Sequence, residues 1–188
     1  MKKFGIQFFL LIILSVSAIA QKQIIHEPVS LPVDSITKLI TYEGVTETPG
    51  SKADVLYKKA LSWFHTYYKN PSEVIRENDS LKFKIVGKPR FRISNPPDKE
   101  GIKTDGGQVQ YTITVAAKDG RFKYEITAFN WKQTSYYACE RWMDTKSQTY
   151  NPLYADYLVQ VDDYTKELVK NMKNALLVEK PAKDKDKW

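Results

Sequence analysis

One cysteine and two histidines are all that this 188-residue chain offers for nucleophilic or soft-ligand chemistry. A cysteine nucleophile needs a base within hydrogen-bond reach. His26 lies in a proline-containing stretch near the start, and His65 falls about 140° from the centre of its helix's apolar stripe at 100° per residue. Neither can be placed beside Cys139 from the local pattern, so Cys139 reads as a small core residue. Two distant histidines and one cysteine also lack the spacing of a metal site, and Asp162-Asp163 reads as a solvated pair on a helix flank. Gly106-Gly107 follows a loop and opens no helix, so it is no phosphate cradle. No serine sits in a strand-turn-helix elbow. The chain has 22 acidic residues, but a carboxylate pair for glycoside hydrolysis is defined in space, and nothing in the sequence nominates one. The expectation is no catalytic residue, no metal and no cofactor.

Two features rise above this background. The outward positions of a long apolar-alternating run are Lys82, Lys84, Val86, Lys88, Arg90 and Arg92, five of six cationic. If register holds across Gly87 they form a stripe of roughly 30 Å, with side chains about 6.6 Å apart. Such a stripe suits an anionic surface, either phosphate- or carboxylate-bearing polymers or lipid headgroups. The plainer reading, lysines that discourage edge-to-edge pairing of sheets, carries more weight. The second feature is a crowd of aromatics between Phe129 and Tyr157. Trp131, Tyr136, Tyr137 and Trp142 are its candidates for a ligand-binding role, against the favoured reading of a flap over the core.

The elements that must position these residues follow from charge and periodicity. Lys2 and Lys3, an apolar run over Phe4 to Val16, and Ala18-Ile19-Ala20 before Gln21 have the order of a cleaved secretory signal. The run is too short to span a bilayer, so residues 1–20 predict a periplasmic or secreted protein with no transmembrane segment after cleavage. The formal charge of +7 includes Lys2 and Lys3, and without them and the tail the footprint is weak for nucleic acid. A lone cysteine allows no internal disulfide, so packing alone must stabilise the fold.

Residues 21–35 read as an extended lead-in, 36–179 as one domain, and 180–188 as a disordered charged tail. A first strand is expected from Ile36 to Val45, stopped by Pro49-Gly50. Ser51 opens a helix, with Asp54 as a weak capping box. Ala53, Leu56, Ala60, Trp63, Phe64 and Tyr67 form its apolar side, and Asn70-Pro71 ends it. Val74-Ile75 suggests a short strand. Leu81 to Ile93 alternates over odd positions, with Gly87 and Pro89 marking a bend. Residues 94–107 read as a loop.

Asp119-Gly120 between two alternating runs predicts a two-residue hairpin. Its register pairs Ala117 with Phe122, Val115 with Tyr124, Ile113 with Ile126 and Tyr111 with Ala128 on an apolar face. The opposite face pairs Thr114 with Glu125 and Thr112 with Thr127. Residues 130–150 have no clear period. A last helix begins at Asn151-Pro152, with a stripe from Tyr154 through Leu176.

The order is strand, helix, four strands, helix: an α+β chain whose two helices cover the apolar face of an antiparallel sheet. The stretches YEGVTETPGSKADVLYKKALSWF, VIRENDSLKFKIVGK and YTITVAAKDGRFKYEITAF, within Lys38 to Trp131, resemble an uncharacterised family of exported bacterial proteins. That family is a domain of unknown function with a TATA-binding-protein-like fold. The resemblance implies a β-α-β4-α arrangement, a curved antiparallel sheet with two helices on one face. It brings no catalytic residue, and the namesake's DNA binding does not follow from the fold. The reading is a non-catalytic exported module that holds a protein or an envelope polymer, with no nucleic-acid partner. A carrier of a small apolar ligand between sheet and helices is the alternative, and a carboxylate-based hydrolase a further one.

Overall fold

The Asp119-Gly120 turn organises more than its own hairpin. The computed structural model describes residues 29–178; the leader, His26 and the charged tail lie outside the described residues. Of the two turn residues only Gly120 takes a positive φ, +76°, so the two-residue hairpin closes without a primed turn. The turn joins β5 (Asp105–Lys118) to β6 (Arg121–Lys132). Around them lie β1 (Tyr42–Glu47), β2 (Ile75–Asp79), β3 (Lys84–Gly87), β4 (Arg90–Ser94) and β7 (Tyr136–Ala138). The sheet runs β1-β6-β5-β3-β2, with β4 also on β5 and β7 also on β6, and every pairing is antiparallel.

Helices α1 (Ala53–Tyr67) and α3 (Leu153–Leu177) pack side by side on one face of this sheet, and α2 (Pro71–Val74) is a single turn leading into β2. Leu56, Ala60 and Phe64 of α1 and Val161, Leu168 and Met172 of α3 are buried with Val109, Ile113, Val115, Phe122 and Ile126 in one core. The helices also bond to each other, Trp63 Nε1 donating to Asn171 Oδ1 at 2.8 Å and Lys59 Nζ to the Leu176 carbonyl at 3.1 Å. The α+β arrangement with both helices on one face therefore stands as expected, with the strand count raised by a split and an addition.

The split falls at Lys88-Pro89. Odd positions from Ile85 to Ile93 do face the helices, but proline cannot donate to a ladder. β3 and β4 pair separately with β5, at Ile113–Ala116 and at Asp105–Gln110. Leu81, expected on the inner face, sits in the β2–β3 turn and is 91% exposed. The addition is β7, which with a 3-10 turn over Cys139–Met143 orders the stretch that has no sequence period.

Three further expectations are corrected. The first strand starts at Tyr42 rather than Ile36, because Asp34 Oδ1 accepts the backbone N–H groups of Ile36 and Thr37 and Lys38 takes φ +61°. That local turn competes with extended pairing, and it leaves Ile36 88% exposed. Asp162 is not a solvated partner of Asp163. It is buried, accepting the Tyr42 hydroxyl at 2.8 Å and Lys166 Nζ at 2.6 Å.

The third correction concerns register. The hairpin pairs as expected from Lys118↔Arg121 to Thr112↔Thr127, but Gln110 then faces Asn130. Two residues, Ala128 and Phe129, oppose Tyr111, and Ala128 adopts φ +55°. This bulge reverses the parity of β6, so Phe129 replaces Ala128 on the inner face, fully buried.

The start of α1 shows what the hairpin turn adds. Neither Ser51 nor Asp54 caps it; Asp119 Oδ1 accepts the Ala53 N–H at 2.8 Å. Gly120 N–H donates to the Ser51 carbonyl at 2.8 Å, and Thr48 N–H to the Gly120 carbonyl at 2.7 Å. The Ala53 N–H, and secondly Lys52, hold the Asp119 carboxyl below its ordinary range. A lowered folded-state value means the ionised form favours folding. Its contribution is complete above about pH 4 and is lost as pH falls through the folded-state value. Acid titration of thermal stability should therefore fall less steeply in Asp119→Ala than in the parent, with a lower melting temperature at neutral pH. Parallel acid limbs would show that the cap does not contribute.

Candidate functional site

The face of the sheet away from the helices carries no covering element among the described residues. Strand alternation fixes what it displays. Two cross-strand rows follow from the register beyond the bulge: Arg92–Gln108–Lys132–Tyr136, and Arg90–Gln110–Asn130–Ala138. Strands about 4.8 Å apart make each row about 14 Å long, with the rows about 7 Å apart. This end of the face carries Arg90, Arg92 and Lys132, with Asp105 as the neighbouring acid. The acids of β1 and β2, Glu43, Glu47, Glu77 and Asp79, belong to the outer strands of the other end.

The five cations of the expected stripe thus separate into two kinds. Lys82 sits in a turn and pairs with Asp79 at 3.3 Å; Lys84 pairs with Glu77 on β2 at 3.1 Å; Arg92 pairs with Asp105 at 2.6 Å. These are exposed pairs of small net value, consistent with the plainer reading of the stripe. Lys88 and Arg90 make no ion pair among the described residues. The break at Pro89 interrupts the stripe.

The aromatic candidates separate too. Trp131 lies on the inner side of β6, its Nε1 donating to the Gly106 carbonyl at 2.9 Å. Its ring meets Trp142 edge-on at 5.6 Å between centroids, and Trp142 stacks on Tyr154 at 5.7 Å. Trp142 is only 3% exposed. These two rings close the end of the core where β6 meets the start of α3. Tyr136 is 51% exposed and belongs to the outer row with Lys132. Tyr137 points to the other side, with the Arg141 guanidinium 5.8 Å from its ring centre.

Cys139 is buried, and burial, then Glu140, pushes its thiol well above the ordinary range, which keeps it protonated and unreactive. His65 is exposed on α1. No group of three or more His, Cys, Asp or Glu side chains could hold a metal ion among the described residues. No described helix is long and apolar enough to cross a membrane.

Four polar residues of the rows, Gln108, Gln110, Asn130 and Lys132, and the small Ala138 are absent from the sequence-based candidates. Gln108 and Gln110 flank Val109 at outward positions of an alternating run, which is a usable signal. Asn130 and Lys132 are not accessible that way, because Ala128 gives no hint of the bulge that turns them outward.

An open antiparallel sheet with one bare face and helices on the other is a TATA-binding-protein-like architecture. Residues 42–132 match the model of a family described as a domain of unknown function (DUF4468) with TBP-like fold. It is similar to a crystal structure of a DUF4468 family protein from Bacteroides ovatus ATCC 8483. There the identity is 17%, the TM-score 0.63, and coverage 79% of this chain and 92% of that one. A second crystal structure, of a TBP-like protein from Parabacteroides distasonis ATCC 8503, gives 12% identity, a TM-score of 0.60, and coverage of 79% and 98%. At such identities the likeness speaks for the fold. No protein of curated function matches the chain.

Proposed function

We propose that this protein is a non-catalytic binding module of the bacterial envelope that holds an acidic glycan against the bare face of its sheet. The observation that carries this reading is the pair of rows, Arg92–Gln108–Lys132–Tyr136 and Arg90–Gln110–Asn130–Ala138, at the basic end of that face. Arginine forks match carboxylates in two-point fashion, and Lys132 adds a point charge. The amides of Gln108, Gln110 and Asn130 can both donate to and accept from hydroxyls. Tyr136 supplies a flat, half-exposed ring on which a sugar can rest. An envelope location is supported by the charge, apolar run and A-x-A order of residues 1–20.

Polygalacturonate is a suitable probe, with neutral dextran as the control. The protein should bind the first and not the second, and the affinity should fall as salt rises. Arg90→Glu combined with Lys132→Glu should weaken binding about tenfold or more without lowering the melting temperature. Equal affinity for dextran, or unchanged affinity in the double variant, would remove the reading.

A further inference from the structure

We infer that the groove at the break between β3 and β4 is a binding site for a phosphate group, either free or as a monoester. The groove is an open hollow of about 330 Å³ between the end of α1, α2 and the break itself, and it adjoins the rows at Arg90 and Gln108. Three cations line it: Lys69, just past the end of α1, and Lys88 and Arg90, on either side of Pro89. None of the three is ion-paired among the described residues. Elsewhere the protein places an acid within 4 Å of many of its cations, Lys84 and Arg92 on the neighbouring strands included. Glu73 is the one acid in the groove wall. Three positive charges against one negative leave an excess that suits a dianion better than a single carboxylate.

The backbone beneath these side chains is fixed. Lys88 N–H donates to the Val74 carbonyl at 2.8 Å, and the Pro89 carbonyl accepts the Tyr111 N–H at 3.2 Å. Pro89 itself locks one dihedral. Two cationic side chains therefore project from a braced segment, which lowers the ordering cost of binding.

The groove's inner wall adds an aromatic ring braced from the core. Tyr68 lines the groove, and its oxygen lies 3.1 Å from that of Tyr111, which lies 3.0 Å from that of Tyr164. Tyr111 is fully buried. This chain of hydroxyls runs into the core and holds the Tyr68 ring from behind, so that wall of the groove is fixed as well.

The phosphate site shares Arg90 and Gln108 with the glycan reading and takes its other lining residues from outside the rows. Its test therefore uses Lys69→Ala combined with Lys88→Ala, two exposed positions outside the rows. Inorganic phosphate and glycerol 3-phosphate are titrated into the protein by calorimetry, with acetate as the monoanion control. Both phosphates should saturate one site, and binding should weaken as the dianion takes a proton, below about pH 7 for inorganic phosphate and below about pH 6 for the monoester. Tighter binding of glycerol 3-phosphate would identify a monoester as the natural occupant; equal binding would identify free phosphate. The double variant should lose about tenfold in phosphate affinity while keeping its melting temperature and its polygalacturonate binding. Glu73→Gln should tighten phosphate binding by removing the opposing charge. Phosphate binding no stronger than acetate, or unchanged in the Lys69→Ala, Lys88→Ala protein, would overturn the assignment.

Discussion

Replacing Trp142 with alanine should cost about 3–5 kcal/mol of folding stability and leave ligand binding intact in the protein that remains folded. The indole is almost wholly enclosed, and it touches Trp131, Tyr154 and Tyr157 at centroid distances of 5.6, 5.7 and 5.4 Å. Removing it leaves a void bounded by rings that are themselves anchored. Trp131 is held by the Gly106 carbonyl and Tyr157 by Asn95, so neither can collapse freely into the space. For a domain of this size the loss corresponds to a fall in melting temperature of roughly 10 °C. Thermal unfolding and polygalacturonate binding, measured on the same sample, separate the two roles open to this aromatic cluster. A native-like melting curve with weakened binding would move Trp142 from the core to the ligand.

Gly87→Val should be nearly as damaging, for the opposite reason. A Cβ at this position would lie 2.8 Å from Cε1 of Phe64, 3.2 Å from Cγ1 of Val74 and 3.3 Å from Cγ2 of Ile113. Phe64 is fully buried and Ile113 is paired with Gly87 across the sheet, so the neighbours have little room to retreat. Overpacking of this kind costs about 3 kcal/mol, and the smaller Gly87→Ala should cost less. Phe64→Leu combined with Gly87→Val should recover part of the loss, because the two changes share one space. Strict additivity in chemical denaturation would show that the clash with Phe64 is not the cause.

Much of this architecture was legible in residue pattern. The hairpin declared itself because turn chemistry at Asp119-Gly120 and alternation on both sides agree, down to the Ile113↔Ile126 pair. The two amphipathic helices were equally plain from Leu56 to Phe64 and from Tyr157 to Leu176. What escaped depends on contacts between distant segments. The cap of α1 comes from Asp119, sixty-six residues away, so no local motif could announce it. Asp162 looks solvated on a helical wheel, yet Tyr42 and Lys166 close over it. The candidate site was half visible. Arg90 and Arg92 stood out as cations on an alternating run, while Asn130 and Lys132 wait on a register that a lone alanine at φ +55° resets.

That alanine has a consequence for how the molecule can change. Because the inner and outer sets of β6 share no position, the ligand-facing side chains can be exchanged one at a time without touching the aromatic plug. A change in chain length is another matter. Losing Ala128 would only remove the bulge and leave its neighbours on their present faces, but losing Asn130 would send Trp131 into water and Lys132 toward the core. Diversity on this surface is therefore open to point substitution and closed to single deletions past the bulge. Insertions have freer ground in the connections at 95–104 and 133–135, whose ends are pinned by Asn95 and Thr104 on one side and by Gln133 and Ser135 on the other.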